Sequence, residues 1–295
     1  MKMQIGAFFL AVVVGCLSAI GDTRYVSLTG GNQSPYTSWA QAATSIQPAI
    51  DASVDGDVIL VSNGIYNISA EISVNKAVII TSVAGAASTT IRGNGSCRGF
   101  RLYDVNCVIC GFTVTNGWGD GGAFYAHSST PQICDCILIG NRANYGAAGW
   151  LGTLRRCRIL NNSSVQAGAV TYAILYDCLV ANNKGSQNDA GLVDGAAINC
   201  TIVGNIGGGV RGSSVLNSIV ISNTVYNFSN CNITNSCGTS LPAGPGNIAA
   251  DPRFVDYAKG DFRLDSNSPC INAGMNMPWM YDATDLDGNR RVVCA

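Results

Sequence analysis

Six segments of the chain repeat one short pattern, which runs from a small residue through aliphatic positions to an asparagine. The repeats lie 25, 21, 21, 22 and 18 residues apart and end at Asn116, Asn141, Asn162, Asn183, Asn205 and Asn223. A period of this size is typical of a solenoid, in which each repeat forms one coil and covers the apolar face of its neighbour. The repeat therefore predicts a solenoid fold.

The aligned repeats distinguish a position that packs in the interior from a position that forms a turn. Aliphatic residues, many of them β-branched, precede each asparagine, so a short strand is predicted to enter a turn there. Asparagine tolerates left-handed backbone, and stacked copies can hydrogen-bond along the axis. The first column of the repeat holds only small residues, which are predicted to be buried and largely to be free thiols: Gly111, Cys136, Cys157, Cys178, Cys200 and Ser218.

Two solenoid folds fit the spacing of small, aliphatic and asparagine residues. A leucine-rich repeat would carry leucines at fixed upstream steps and would expose the residue two before the asparagine. Here that position is aliphatic in every copy, upstream leucines are scarce, and a Gly-Gly or Gly-Ala run follows the turn. The pattern favours an all-β, right-handed parallel β-helix.

Composition shifts divide the chain into four parts. Residues 1–21 are predicted to be a signal peptide, 22–57 an N-terminal cap, 58–229 the coils, and 230–295 a loop-rich C-terminal cap. Within the first cap, Trp39, Ala43, Ile46 and Ile50 are spaced as on one face of a short amphipathic helix, which would cover the open end of the solenoid.

The N-terminus has the order of an export signal, with Lys2 before ten apolar residues and with small residues after them. Ten apolar residues are too few to span a bilayer, so no transmembrane helix is expected in the mature chain. Cleavage after Gly21 would give a secreted or cell-surface protein. Lipoprotein processing at Cys16 is the alternative, because an aliphatic and a small residue precede that cysteine.

Export would permit disulfides among the 13 cysteines. The more credible pairs by position are Cys231 with Cys237 and Cys270 with Cys294. A zinc site is not expected, because the cysteine spacings are coil periods and the chain has one histidine.

Charged residues make up 12% of the chain, and the formal net charge is −1. No basic run offers an electrostatic footprint for nucleic acid or for an anionic membrane. Composition therefore predicts a partner that is neutral or is recognised by its shape. An extracellular polysaccharide or a cell-surface glycan is the partner considered below, and the oligomeric state is left open.

Several motifs resemble those of secreted bacterial β-helix proteins of the pectin-lyase-like superfamily, at residues 25–27, 35–39, 46–51, 56–66 and 111–117. Residues 246–256, 268–274 and 285–290 are similar to the terminal module of the choice-of-anchor β-helix proteins. Those relatives continue into a further strand and often an anchoring segment, whereas this sequence stops at Ala295. Two interpretations stay open, a truncated gene or a protein without a C-terminal anchor. The superfamily includes polysaccharide lyases and hydrolases, so it implies carbohydrate chemistry as one option.

Such chemistry needs carboxylates that project together from neighbouring coils. Asp135, Arg156 and Asp177 each precede a cysteine of the first column, so they are predicted to form an outward ladder, most simply a surface salt bridge. Asp120 and His127, with Arg142, form a second conceivable cluster in the loops. These five residues, Asp120, His127, Asp135, Arg156 and Asp177, are the catalytic candidates.

Closely spaced oxygen ligands near the C-terminus raise the question of calcium. The candidates are Asp282, Asp285, Asp287 and Asn289, but the glycine after Asp287 does not stand where an EF-hand loop needs it, so a turn is the favoured interpretation. No other cofactor is expected.

Two functional hypotheses follow. The favoured one is an extracellular β-helix without a catalytic site, acting as an adhesin-like, glycan-contacting or structural module, because acids are sparse in the coils. The alternative is a polysaccharide lyase or glycoside hydrolase, which rests on the superfamily resemblance.

Overall fold

The computed structural model describes residues 21–292, apart from the side chains of residues 186–188 and 190. Most of the predicted signal peptide lies outside the described residues, as do Cys16 and Cys294.

Three parallel sheets wind around one axis. Each regular coil contributes one strand to sheets 1 and 2 and one or two short strands to sheet 3. Sheet 1 contains ten strands, Thr23–Val26, Val58–Val61, Ile79–Ser82, Val108–Cys110, Gln132–Cys134, Thr153–Arg155, Ile174–Tyr176, Ala196–Ile198, Ser214–Leu216 and Asn232–Thr234. Sheet 2 contains eight, Gly64–Asn67, Thr89–Arg92, Thr113–Thr115, Ile137–Ile139, Arg158–Leu160, Leu179–Ala181, Thr201–Val203 and Ile219–Ile221. Sheet 3 contains ten, Ile72–Val74, Phe100–Leu102, Phe124–Ala126, Arg142–Ala143, Gly149–Trp150, Ser163–Ser164, Val170–Thr171, Lys184–Val193, Ile206–Arg211 and Tyr226–Ser229. The predicted parallel β-helix is confirmed.

One apolar core runs the length of the axis, because alternate residues of each short strand point inward. Phe100, Phe112 and Phe124 are the largest fully buried side chains. The cysteine column lies in this core, since Cys136, Cys157, Cys178 and Cys200 are all buried with free thiols, as predicted.

The first repeat is shifted by one residue from its predicted alignment. Ile137 pairs with Thr113, a step of 24 residues, so the cysteine column continues into Phe112 rather than Gly111. The backbone N–H of Phe112 accordingly donates to Cys136 Sγ at 3.5 Å. The sequence alignment places small residues in this column, so it selects Gly111 instead of the large Phe112.

The asparagine column forms a buried hydrogen-bond ladder, as predicted. The backbone N–H and the side-chain amide of Asn141 both donate to Asn162 Oδ1 at 3.0 Å, and the amide also reaches back to the Val114 carbonyl at 2.9 Å. The same arrangement continues through Asn183, Asn205 and Asn223 to Asn227.

The left-handed backbone belongs to the residue before each ladder asparagine, not to the ladder asparagine itself. Gly140 has φ 68°, Asn161 53° and Asn182 56°. The prediction that the ladder residue adopts this conformation is wrong, because its side chain and backbone are both committed to bonds between coils.

The N-terminal helix is shorter than predicted and spans Ile46–Asp51. Residues 40–43 instead pair with the backbone before them: Ala43 N–H donates to the Tyr25 carbonyl at 2.9 Å, and Gly31 N–H to the Ala40 carbonyl at 2.9 Å. Trp39 therefore lies outside the helix and packs edge-on against Tyr25. Within residues 21–292, no helix is both long and apolar enough to cross a membrane.

The C-terminal region has two parts. Residues 237–248 pair with the last coil, through bridges that join Cys237 to Ile219 and to Ile248. The second part, residues 251–292, is called here the return segment, because it runs back along the outer face of sheet 2. It contains the antiparallel strands Phe254–Asp256 and Asp261–Leu264 and the 3₁₀ turns Tyr257–Lys259 and Pro278–Tyr281.

An apolar cluster holds the return segment against sheet 2. Phe254, Phe262 and Leu286 pack on outward residues of four consecutive strands, namely Leu160, Leu179, Ala181, Val203 and Ile221. The outward face of sheet 2 is therefore covered over these four strands.

Candidate functional site

Aromatic side chains line the outward face of sheet 3 over consecutive coils. Arg101, Tyr125 and Trp150 stand in register on three neighbouring strands. Their flanking residues Phe124 and Ala126 are buried, so the alternation of the strand turns these three side chains outward. We call the ring cluster around them the aromatic face, which consists of Tyr103, Tyr125, His127, Tyr145, Trp150 and Tyr172.

The rings contact one another without a gap. Tyr125 and Trp150 are stacked, with centroids 6.1 Å apart and planes 6° from parallel. Tyr103 and His127 are stacked at 5.0 Å and 9°. Edge-on contacts complete the cluster, joining Tyr125 to His127 at 5.4 Å and Trp150 to Tyr172 at 4.9 Å.

Tyr145 also meets Trp150 edge-on, at 6.1 Å. Tyr103, Tyr145 and Tyr172 are 37%, 36% and 44% exposed. An exposed ring cluster of this extent is typical of a binding surface.

Two arginines border the aromatic face. The guanidinium of Arg98 lies 5.0 Å from the Tyr125 ring centroid, and that of Arg101 lies 5.6 Å from the Tyr103 centroid. Glu71 pairs with both guanidinium groups, at 3.2 and 3.3 Å. Arg101 Nε also donates to His127 Nε2 at 3.4 Å. These contacts fix the border side chains and leave one excess positive charge there.

A second polar cluster lies further along the same register, which runs from Trp150 through the buried Thr171 and Val193 to Arg211. Arg211 pairs with the buried Asp189 at 2.8 Å, and the Tyr226 hydroxyl donates to the same carboxylate. Burial, together with the hydrogen bond to Asp189, raises the pKa of Tyr226 well above its usual value. The register continues beyond both arginines, from Arg101 to Ser73 and from Arg211 to Ser229.

The predicted ladder of Asp135, Arg156 and Asp177 forms only in its first half. Arg156 donates two hydrogen bonds of 2.7 Å to the Asp135 carboxylate, which is a bidentate salt bridge. Asp177 instead pairs with Arg291 of the return segment at 2.6 Å and accepts from Asn199 Nδ2 at 3.2 Å. All three turn residues have left-handed φ between 49° and 55°.

The structure gives Asp120 and His127 different neighbours. Asp120 accepts a hydrogen bond from the backbone N–H of Tyr145 at 3.1 Å, whereas His127 is stacked in the aromatic face. Among the described residues, no hydrogen bond or ion pair joins Asp120, His127 and Arg142. His127 therefore contacts Tyr103, Tyr125 and Arg101 and does not pair with Asp120.

A cleft of about 670 Å³ lies between sheet 2 and the return segment. Asp177, Asp261, Asp285 and Asp287 line it, together with Arg158, Arg263 and Arg291. Burial raises the pKa of Asp177 above its ordinary value, although Arg291 acts in the opposite direction. The hydrogen bonds from Arg263 lower the pKa of Asp261 to about 2. Two carboxylates in one cleft thus differ in their readiness to hold a proton.

The calcium candidates line this cleft or lie near it, and two of them, Asp285 and Asp287, already bind other groups of the protein through their side-chain oxygens. Asp285 accepts from the backbone N–H groups of Asp287 and Asn289 at 2.9 and 2.8 Å, as in a tight turn. Asp287 pairs with Arg158 at 3.3 Å, and Asp282 ends the last 3₁₀ turn. Residues 21–292 contain no group of three or more histidine, cysteine or acidic side chains placed to hold a metal ion. Calcium binding stays a prediction.

The aromatic face was not predicted from the sequence. Its signal is nonetheless present, because Tyr103 and His127, and likewise Tyr125 and Trp150, are one coil apart. The sequence repeat is defined by its asparagines. The strands of sheet 3 vary too much in length and spacing to show a fixed period in the sequence.

Two solved structures with the same fold are a pectate lyase and a rhamnogalacturonan lyase. The chain superposes on the crystal structure of pectate lyase Pel9A with a TM-score of 0.63 and 16% identity, over 88% of this chain and 93% of that one. A rhamnogalacturonan lyase matches with a TM-score of 0.52 and 13% identity, over 81% and 92%. No protein-family model matches the chain, and no curated protein is similar to it in sequence. The resemblance to pectin-lyase-like proteins is thus confirmed at the level of the fold.

Proposed function

We propose that this protein is an extracellular β-helix module that binds a polysaccharide along the aromatic face, without cleaving it. The observation that carries the proposal is the unbroken ring contact from Tyr103 to Tyr172 across consecutive coils. Pyranose rings have apolar C–H faces and polar edges, so flat aromatic surfaces bordered by hydrogen-bonding groups suit them. Both matched structures carry the names of enzymes that act on polysaccharides, which supports a carbohydrate partner.

Both the solenoid and a linear glycan repeat one unit along an axis. Neighbouring coils lie about 4.8 Å apart along the axis, so successive rings of the aromatic face offer successive places for sugar units. Arg98 and Arg101, which contact the rings of Tyr125 and Tyr103, supply charged donors for hydroxyl or carboxylate groups. Export, which the N-terminal segment of the sequence predicts, would bring this face to extracellular glycans.

Affinity electrophoresis through gels that contain single polysaccharides tests this function. The panel should include uronate polymers and neutral polymers, and lyase activity (by absorbance) and hydrolase activity (by reducing ends) should be measured on the same samples. We expect retardation in at least one gel without turnover of that polymer. The proposal fails if no polymer retards the protein or if the retained polymer is degraded.

A second function, polysaccharide cleavage, is favoured by one observation in the cleft. Asp177 is a buried carboxyl with a raised pKa, as a general acid requires, and Asp261, Asp285 and Asp287 line the same cavity. Against it, Asp177, Asp261 and Asp287 are each paired with an arginine. Turnover of any polymer that is lost in Asp177→Asn, and retained in Trp150→Ala, would establish cleavage at the cleft.

A further inference from the structure

Cys231 and Cys237 lie on opposite sides of the last coil. Cys231 packs against the interior core, and its thiol donates to the Ser229 and Val210 carbonyls at 3.2 and 3.4 Å. Cys237 instead stands in the outward column of sheet 2, since it bridges to Ile219. The pairing of these two cysteines predicted from their spacing is therefore wrong, because the wall of the solenoid separates them.

The outward position of Cys237 brings it under the return segment. Its thiol donates to the Ala250 carbonyl at 3.3 Å, just before that segment begins. The Ser268 hydroxyl donates to the Pro252 carbonyl, and Ser268 Oγ accepts from the backbone N–H of Cys270 at 3.2 Å. These contacts hold Cys237 and Cys270 against the same short stretch, residues 250–252, and each thiol acts on the pKa of the other; both are free in the structure.

The two thiols differ in reactivity. The hydrogen bond from Cys237 lowers the pKa of Cys270 to about 7, although burial acts against it. Cys270 therefore has a substantial thiolate fraction at neutral pH, and the thiolate is the form that attacks a disulfide. The same contact and burial raise the pKa of Cys237, so it is the second thiol to react.

We propose that Cys237 and Cys270 form a disulfide that fastens the return segment to the last coil. A small-molecule disulfide such as oxidised glutathione is the oxidant. The Cys270 thiolate attacks one sulfur of the donor and releases one glutathione thiolate. Cys237 then loses its proton and attacks the Cys270 sulfur of the mixed disulfide, which releases the second. Two protein thiols are oxidised, and one donor disulfide is reduced to two thiols.

The cross-link would join residues that are 33 positions apart in the chain. The strand Asp261–Leu264, which lines the cleft, lies inside this loop together with its partner strand Phe254–Asp256. The bond therefore restricts opening of the cleft, and the inference does not depend on glycan binding.

Peptide mapping by mass spectrometry tests the bond directly. The protein is incubated in a glutathione redox buffer, alkylated, and digested without reduction. We expect one linked pair, Cys237 with Cys270, which disappears in Cys270→Ser and remains in the matched control Cys231→Ser. Alkylated Cys237 and Cys270, or a link from either to another cysteine, would overturn the proposal.

Limited trypsin digestion adds a functional readout, since Arg253, Lys259 and Arg263 lie within the loop. Cleavage there should be slower in the oxidised protein by a factor on the order of tenfold to a hundredfold. Reduced wild type and Cys237→Ser should be cleaved at the same faster rate, which distinguishes the bond from a folding defect of the variant. Equal rates before and after reduction would show that the bond does not fasten the segment.

Discussion

The backbone N–H and the side-chain amide of Asn162 both donate to one oxygen, Oδ1 of Asn183, at 2.9 and 3.0 Å. The amide of Asn183 in turn reaches back to the Ile159 carbonyl at 3.0 Å, in the preceding coil. Each ladder asparagine thus forms hydrogen bonds with buried donors and acceptors of the neighbouring coils. Because Asn162 and Asn183 are almost fully buried, the ladder serves stability and is closed to ligands.

Asn183→Ala is expected to lower the free energy of unfolding by about 2–4 kcal/mol, because it leaves two donors of Asn162 and one carbonyl buried without partners. Chemical denaturation followed by circular dichroism measures this change. The matched control is Asn182→Gly at the exposed neighbouring position, where φ is 56° and glycine fits, so a change within about 0.5 kcal/mol is expected. Equal losses in the two variants would contradict the structural role of the ladder.

The cysteines should separate into two classes on alkylation of the fully reduced protein. Burial raises the pKa of Cys136, Cys157 and Cys178 well above the usual value, whereas that of Cys270 lies at about 7. At neutral pH, Cys270 should react first and the column only after denaturation. Mass spectrometry of a time course locates the label, and early label on Cys157 would refute the packed column.

Asp177 should make stability depend on pH in a defined direction. Since its folded-state pKa is raised, the folded protein binds this proton more tightly than the unfolded chain does. Its contribution to the free energy of unfolding is then fully present below about pH 4 and is lost as the pH rises through the folded-state pKa. The free energy of unfolding of wild type, relative to that of Asp177→Asn, should accordingly fall as the pH rises.

Denaturation midpoints at a series of pH values from acid to neutral measure this difference. Asp287→Asn changes an exposed carboxylate of the same cleft and serves as the control. If the advantage of wild type over Asp177→Asn instead grows with pH, the ion pair with Arg291 outweighs burial, and Asp177 is no candidate acid.

The sequence predicted the parts of the fold that repeat. The cysteine and asparagine columns follow directly from packing and from hydrogen bonds between coils, so their period is regular and readable. The alignment failed at Phe112, where a large side chain takes the place of a small one. It also assigned the left-handed turn to the ladder residue, because asparagine occurs at both positions, as at Asn161 and Asn162.

The site depends on contacts that no local pattern encodes. Sequence spacing placed Asp177 next to Arg156, but the partner of Asp177 is Arg291, which is 114 residues further along the chain and reaches it through the return segment. Likewise, loop proximity grouped His127 with Asp120 and Arg142, but its stacking partner is Tyr103, one full coil away. Outward side chains do not pack in the core, so they need not follow the sequence repeat. Their contacts depend instead on how the strands of neighbouring coils are aligned.

Isothermal titration of the retained polysaccharide tests the central claim most directly. Trp150 contacts Tyr125, Tyr145 and Tyr172, so Trp150→Ala should weaken binding by about tenfold or more, as for a central aromatic contact. Trp39→Ala, at an exposed tryptophan of the N-terminal end, should leave the affinity unchanged. Unchanged affinity in Trp150→Ala, or an equal loss in both variants, would contradict glycan binding at the aromatic face.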